Sequence, residues 1–305
     1  MQTNKKPRII GAVLTTALLC TTAVACSGGD SDAKKSDGSP ATAAKALTAA
    51  LKKTSDAKSA KVQMTMKMPG TNGGGDLEMA GVVGWEPSVM DVTLQGSALS
   101  TEPDAPDESR LIHRDGVMYL DLGAEGAKQA EGKRWMKMDL KAMAEEAEKS
   151  GDPASGDLMT KSLENVNQDP AQQIALLLES PSLKRVGTQK IDGAEADHYK
   201  GKLTVAEMLK TNDALTDVMD EKERKALLKN LEKTGVKGYD IDVWVNGDEL
   251  PVRMDVKTKS PEGDIDISTK YSDYGTVVKA ETPKASETLD LLEMFKKLDK
   301  EDPSA

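Results

Sequence analysis

One phenylalanine, two histidines and two cysteines stand in 305 residues, and aromatic side chains make up only 3% of the chain. The core must therefore be filled with Val, Leu, Ile, Ala and Met. His113 and His198 sit on separate predicted strands with no cysteine nearby, and no HExxH or CxxC spacing occurs. No metal site is expected. A G-x-S-x-G elbow, a G-x-G-x-x-G turn and a P-loop are also missing. We therefore nominate no catalytic residue, expect no cofactor and read the chain as a non-enzyme. Asp240-Ile241-Asp242 and Asp264-Ile265-Asp266 lack the loop glycine and closing glutamate of an EF-hand and read as solvated strand faces.

Positive charge is scarce as well, with 41 Lys and Arg against 51 Asp and Glu, for a net charge of −10. An acidic chain is a poor partner for nucleic acid and is repelled by an anionic membrane surface. No apolar run reaches the roughly 20 residues of a membrane-spanning helix. The longest, Ile9 to Ala25, holds four threonines, follows Lys5, Lys6 and Arg8, and ends in Ala23-Val24-Ala25-Cys26. That anatomy is a secretory signal. Cys26 directly after small residues resembles a bacterial lipobox, in which the thiol takes a diacylglyceryl group. An A-x-A cut that leaves Cys26 free and an uncleaved anchor stay open as alternatives. Cys20 lies within the apolar run, so the mature chain keeps Cys26 alone. A lone exported cysteine cannot close an internal disulfide, which favours acylation.

The expected organisation is a signal over 1–25, a tether over 26–40, one domain over 41–298 and a polar tail over 299–305. Ser27 to Pro40 is rich in Ser, Gly and Asp. A flexible chain of that length reaches roughly 20 Å. Helices are expected over Ala41–Ser55, Leu140–Lys149, Asp213–Lys233 and Ser286–Leu298. Another starts at Pro170 with Asp169 as its N-cap. Between them, alternation marks roughly ten or eleven strands. Val62, Met64, Met66 and Met68 alternate with Gln63, Thr65 and Lys67. Asp115-Gly116 and Asp192-Gly193 mark two tight hairpins. Short links make the sheet antiparallel. Its apolar face needs cover from helices, and those over 140–180 and 213–233 are available.

Tyr239-Asp240-Ile241-Asp242-Val243-Trp244-Val245, Leu250-Pro251-Val252-Arg253-Met254 and Tyr271-Ser272-Asp273-Tyr274-Gly275 resemble the LppX/LprG-type lipoproteins of actinobacteria, within the LolA/LolB-like group. Val186-Gly187-Thr188 and Ala196-Asp197-His198-Tyr199-Lys200-Gly201 fit the same pattern. The resemblance implies an α+β fold, a large curved antiparallel sheet (a half-open β-barrel) wrapped over helices around an apolar cavity. It also implies a lipid or lipoglycan ligand. Fifteen methionines suit a wall that accepts variable apolar shapes, and equally suit a filled core. The candidate lining residues are Met64, Met66, Met68, Val83, Ile112, Tyr119, Met136, Ile241, Val243 and Met254. The expected role is a carrier held at the extracytoplasmic face of the cell membrane through Cys26. The alternative is a structural or regulatory surface lipoprotein acting through protein contacts, its protein partner unknown.

Overall fold

The computed structural model describes residues 39–70, 74–99, 106–149, 169–207, 235 and 237–301. The signal, Cys26, the tether up to residue 38 and the helix expected over 213–233 lie outside the described residues.

Helix α1 spans Pro40–Ala57. Ser39 caps it by accepting from the Thr42 N–H, and Pro40 takes the first turn, where its missing N–H costs nothing. Ser39 and Pro40 therefore start the helix and do not end the tether. Ala43, Leu47, Ala50 and Thr54, spaced by four, three and four, are its buried stripe.

Among the described residues twelve strands follow: β1 Ser59–Met68, β2 Gly75–Trp85, β3 Ser88–Gln95, β4 Glu108–Arg114, β5 Val117–Asp121, β6 Trp135–Asp139, β7 Lys184–Ile191, β8 Ala194–Thr204, β9 Gly238–Asn246, β10 Pro251–Ser260, β11 Gly263–Ser272 and β12 Thr288–Asp290. Between them lie helices α2 Gly123–Gln129, α3 Leu140–Lys149 and α4 Pro170–Leu178. Helix α5, Leu291–Glu301, follows β12. The strands form one open sheet in the order β12-β6-β5-β4-β3-β2-β1-β11-β10-β9-β8-β7. Among the described strands only β12 pairs in parallel, on β6. The fold is thus α+β with a large, open, mostly antiparallel sheet, as the resemblance implied.

Both expected hairpins form. Asp115 and Gly116 have φ 55° and 81°, and Asp192 and Gly193 have φ 49° and 91°. Positive φ at both central residues is the type I′ turn, whose twist matches the strands it joins. Asp169 caps α4 by accepting from Ala171 N–H at 2.8 Å.

The C-terminal part departs from expectation. The helix placed from Ser286 is a 3₁₀ turn at Ala285–Glu287, then strand β12, then α5. Strand β6 offered an open edge, and three residues fill it. Asp290 fixes the junction twice: it accepts from the Leu292 N–H at 3.1 Å and pairs with Lys137 at 2.8 Å. Helix α5 runs through residues 299–301, which were expected to be tail.

Helices α1 and α4 cover one sheet face, called the inner face below. The continuous core joins Ala43, Leu47 and Ala50 of α1 and Ile174 and Leu177 of α4 to Val62, Val83, Met90, Val92, Val243 and Met254 of the sheet. The expected cover omitted α1, whose alanine-rich stripe gives a weak apolar signal. Gly201 on β8 lets the end of α4 and the following Ser180 come close to the sheet. A Cβ there would lie 2.7 Å from Leu177 Cδ1 and 2.6 Å from Ser180 Oγ. Two of the motif segments of the resemblance touch beside this core. The Tyr274 hydroxyl donates to the Pro251 carbonyl at 2.7 Å, and its ring meets Trp85 edge-on.

Candidate functional site

Cross-strand register decides which side chains share a face. On the inner face Met64 stands opposite Met79 on β2 and Thr269 on β11; that row continues through Met254 and Val243 to Tyr199. Met66 stands opposite Leu77 and Ile267. On the other wing Val83 faces Met90, then His113, Met118 and Met138. Val92 faces Leu111, then Leu120 and Met136.

This face has two parts. Under α1 and α4 it is sealed: Val83, Ile241, Val243 and Met254 are between 0 and 3% exposed. Outside that zone it is half-buried and still apolar. Met64, Met66, Met68 and Leu77 lie at the far end of β1 and β2, and Leu111, Met118, Leu120, Met136 and Met138 lie on the β4–β6 wing. Four of the ten expected lining residues, Met64, Met66, Met68 and Met136, belong to this half-buried band.

Ile112 and Tyr119 do not share that wall. They pair with each other, and Ile112 pairs with Asp91. That row lies on the outer face. The runs Leu111-Ile112 and Val117-Met118-Tyr119-Leu120 are apolar on both faces, so alternation could not fix their phase. Ile112 is nevertheless 1% exposed. The chain after β11 crosses the outer face, with Val278 Cγ2 close to Gly84 and the Ala280 carbonyl accepting from Arg114. Leu77, Leu111 and Leu120 were missed, and Met118 and Met138 entered only through the general reading of the strand methionines. The Asp115-Gly116 turn held part of the signal, because a two-residue loop pairs Arg114 with Val117 and sets the whole register.

His113 is the one polar group in the Met90–Met118 row. It is 3% exposed, and neither ring nitrogen has a hydrogen-bond partner among the described residues. Burial holds its pKa below the ordinary value, with Asp115 opposing the shift. The native state thus disfavours the imidazolium, and the stability from this site is complete above the unfolded pKa of about 6.5 and lost as pH falls below it. His113→Leu should raise stability by about 1 kcal/mol, because an unsatisfied buried polar group is removed. It should also flatten the decline in Tm between about pH 7 and pH 5. Thermal melts across that range read both effects.

The second histidine lies on the outer face. His198 stacks on Trp244 at 4.3 Å between ring centroids, and its Nε2 is 2.6 Å from Asp242 Oδ1. Arg253 lies over the same indole at 5.0 Å. Asp242, expected on a solvated face, is only 8% exposed because His198 and Lys200 close on it. Among the described residues no group of three or more His, Cys, Asp or Glu side chains is placed to hold a metal ion.

No family model matches the chain. It is 31% identical over 259 residues to a Streptomyces griseus protein described as an uncharacterized 31.2 kDa protein in the rplA–rplJ intergenic region, across 82% of this chain and 80% of that one. It is 25% identical over 317 residues to a candidate lipoprotein of Streptomyces coelicolor, across 96% of this chain and 97% of that one. The lipoprotein LppX of Mycobacterium tuberculosis is similar in structure at a TM-score of 0.44 and 13% identity, over 80% of this chain and all of that one.

Proposed function

The chain belongs to the family of the Streptomyces griseus 31.2 kDa protein, and we propose that it is an exported lipoprotein that binds a lipid or other apolar envelope molecule. Cys26 is the acylated anchor, and the protein works at the extracytoplasmic face of the cell membrane by binding and not by catalysis. The observation that carries this reading is the half-buried band of Met64, Met66, Met68 and Leu77, continuous with the sealed core on one face. A contiguous apolar patch left partly open beside a packed core is the kind of surface that ligand-binding sites use. The Streptomyces coelicolor relative, named as a lipoprotein candidate, supports the anchor. The short Ser-, Gly- and Asp-rich stretch between Cys26 and α1 would keep such a domain beside the leaflet that Cys26 enters.

A second reading has its own observation. Val83, Ile241, Val243 and Met254 are plugged by the protein's own helices. A surface lipoprotein that carries no cargo and acts through protein contacts would look the same at these positions.

Native mass spectrometry of the full-length protein from its host membranes separates the two. The carrier reading expects non-covalent lipid mass on top of a covalent diacylglyceryl mass at Cys26. Bare protein in repeated preparations, with no uptake of phosphatidylglycerol or phosphatidylethanolamine from vesicles, would overturn it.

A further inference from the structure

A polar groove of about 740 Å³ lies on the outer face, away from the Met band, lined by Thr93, Glu108, Arg110, Asp121, Arg134, Trp135 and Glu287. Its floor is one cross-strand row. Thr93 pairs with Arg110, and Asp121 pairs with Trp135. Leu111 opposite Leu120 brings the two halves side by side. The chain after β11 supplies a wall, where Lys133 Nζ donates to the Ser286 carbonyl at 2.6 Å and fixes Glu287 beside the row.

The guanidiniums here are held, not free. Arg110 donates through Nε and Nη2 to both oxygens of Asp91, at 2.8 and 2.7 Å. Arg134 does the same to Asp121, at 2.9 Å through Nε to Oδ1 and 2.9 Å through Nη2 to Oδ2. A bidentate pair fixes the plane of the fork and spends its charge. Two guanidiniums stand against three lining carboxylates, so the groove repels phosphate and other anionic groups. The groups left without a partner among the described residues are the Trp135 indole N–H, Arg110 Nη1, Arg134 Nη1, the Thr93 hydroxyl and the Glu287 carboxylate. These are donors and acceptors mixed around one aromatic ring. A sugar hydroxyl is both donor and acceptor. The C–H face of a pyranose is an apolar plane that packs on an indole.

We propose that this groove is a binding site for a neutral saccharide. Trp135 is the platform, Glu287 accepts from ring hydroxyls, and Arg110 and Arg134 donate through their third nitrogens. The site is on the opposite face from the apolar band and stands or falls independently of bound lipid.

The test uses the full-length protein in a detergent without a sugar headgroup. Maltotriose, mannotriose and tri-N-acetylchitotriose are titrated at millimolar concentration and read by calorimetry and by tryptophan fluorescence. Trp85 and Trp244 are each 7% exposed, so Trp135 is the indole that a ligand reaches. At least one trisaccharide should bind, and Trp135→Ala should weaken it by about tenfold or more, worth about 1.4 kcal/mol. Glu287→Gln is a gentler surface change that reads the same site should Trp135→Ala fold poorly; it should weaken binding severalfold. The proposal is overturned if no trisaccharide binds, if binding survives both substitutions, or if only inorganic phosphate or choline binds.

Discussion

Met64→Lys combined with Met66→Lys should strip bound lipid from the protein while leaving it folded. Both side chains are half-buried on the inner face, Met64 beside Met79 and Thr269 and Met66 beside Leu77 and Ile267. Gln63, Thr65 and Lys67 between them occupy the outer face, while Met64 and Met66 themselves keep part of their surface open to water on the inner face. A lysine at such a site keeps its stem on the apolar surface and lifts its ammonium into solvent, which spares the fold. An acyl chain lying on the band would instead meet two charges that it cannot solvate. Lipid affinity, read by native mass spectrometry across a lipid titration, should fall tenfold or more, about 1.4 kcal/mol of binding free energy. Unchanged occupancy in a variant with normal Tm would remove these methionines from the ligand surface and favour the cargo-free reading.

Leu47→Ala acts on the cover and should give the largest loss of stability. Leu47 has no exposed surface and joins α1 to the same core as Val83 and Met254. Truncating a sealed leucine costs about 2–5 kcal/mol, through lost transfer energy and the cavity left behind. For a domain of this size that lowers Tm by roughly 5–15 °C. Lys45 lies on the exposed side of the same helix, and Lys45→Ala should leave Tm within about 1 °C. Thermal denaturation followed by circular dichroism compares the two. Equal small shifts would mean that α1 is not part of the cooperative core and can leave the sheet.

The two variants probe the two parts of one face, and that division was only partly legible beforehand. Where one side of a strand is polar, the pattern was unambiguous. Met64, Met66 and Met68 share their face with the core because Gln63, Thr65 and Lys67 cannot. Where both sides are apolar, as in β4 and β5, Ile112 and Tyr119 were as good a choice as Leu111 and Leu120 until pairing set the phase. Burial was also invisible. Val83, Ile241, Val243 and Met254 read like cavity wall, yet α1 and α4 close over them. Gly201 admits Leu177 and Ser180 of the neighbouring segment, and such an approach leaves no mark in the local sequence. The carboxylate of Asp242 read as solvated because Asp240, Asp242 and Asp264 alternate with apolar residues. His198, brought alongside from the neighbouring strand β8, removed it from water.

The sequence by itself determined what is local or periodic. It determined the strand alternation, the two Asp-Gly hairpins and the Asp169-Pro170 helix start. Each follows from backbone preferences or a period of two that a short stretch of chain carries alone. Only the tertiary structure decided the parallel strand β12, α1 as the central cover, the face on which Ile112 stands and the outer groove at Trp135. Each of these requires residues far apart in the chain to meet. That meeting is set by total burial and register across the whole sheet, which no single segment encodes.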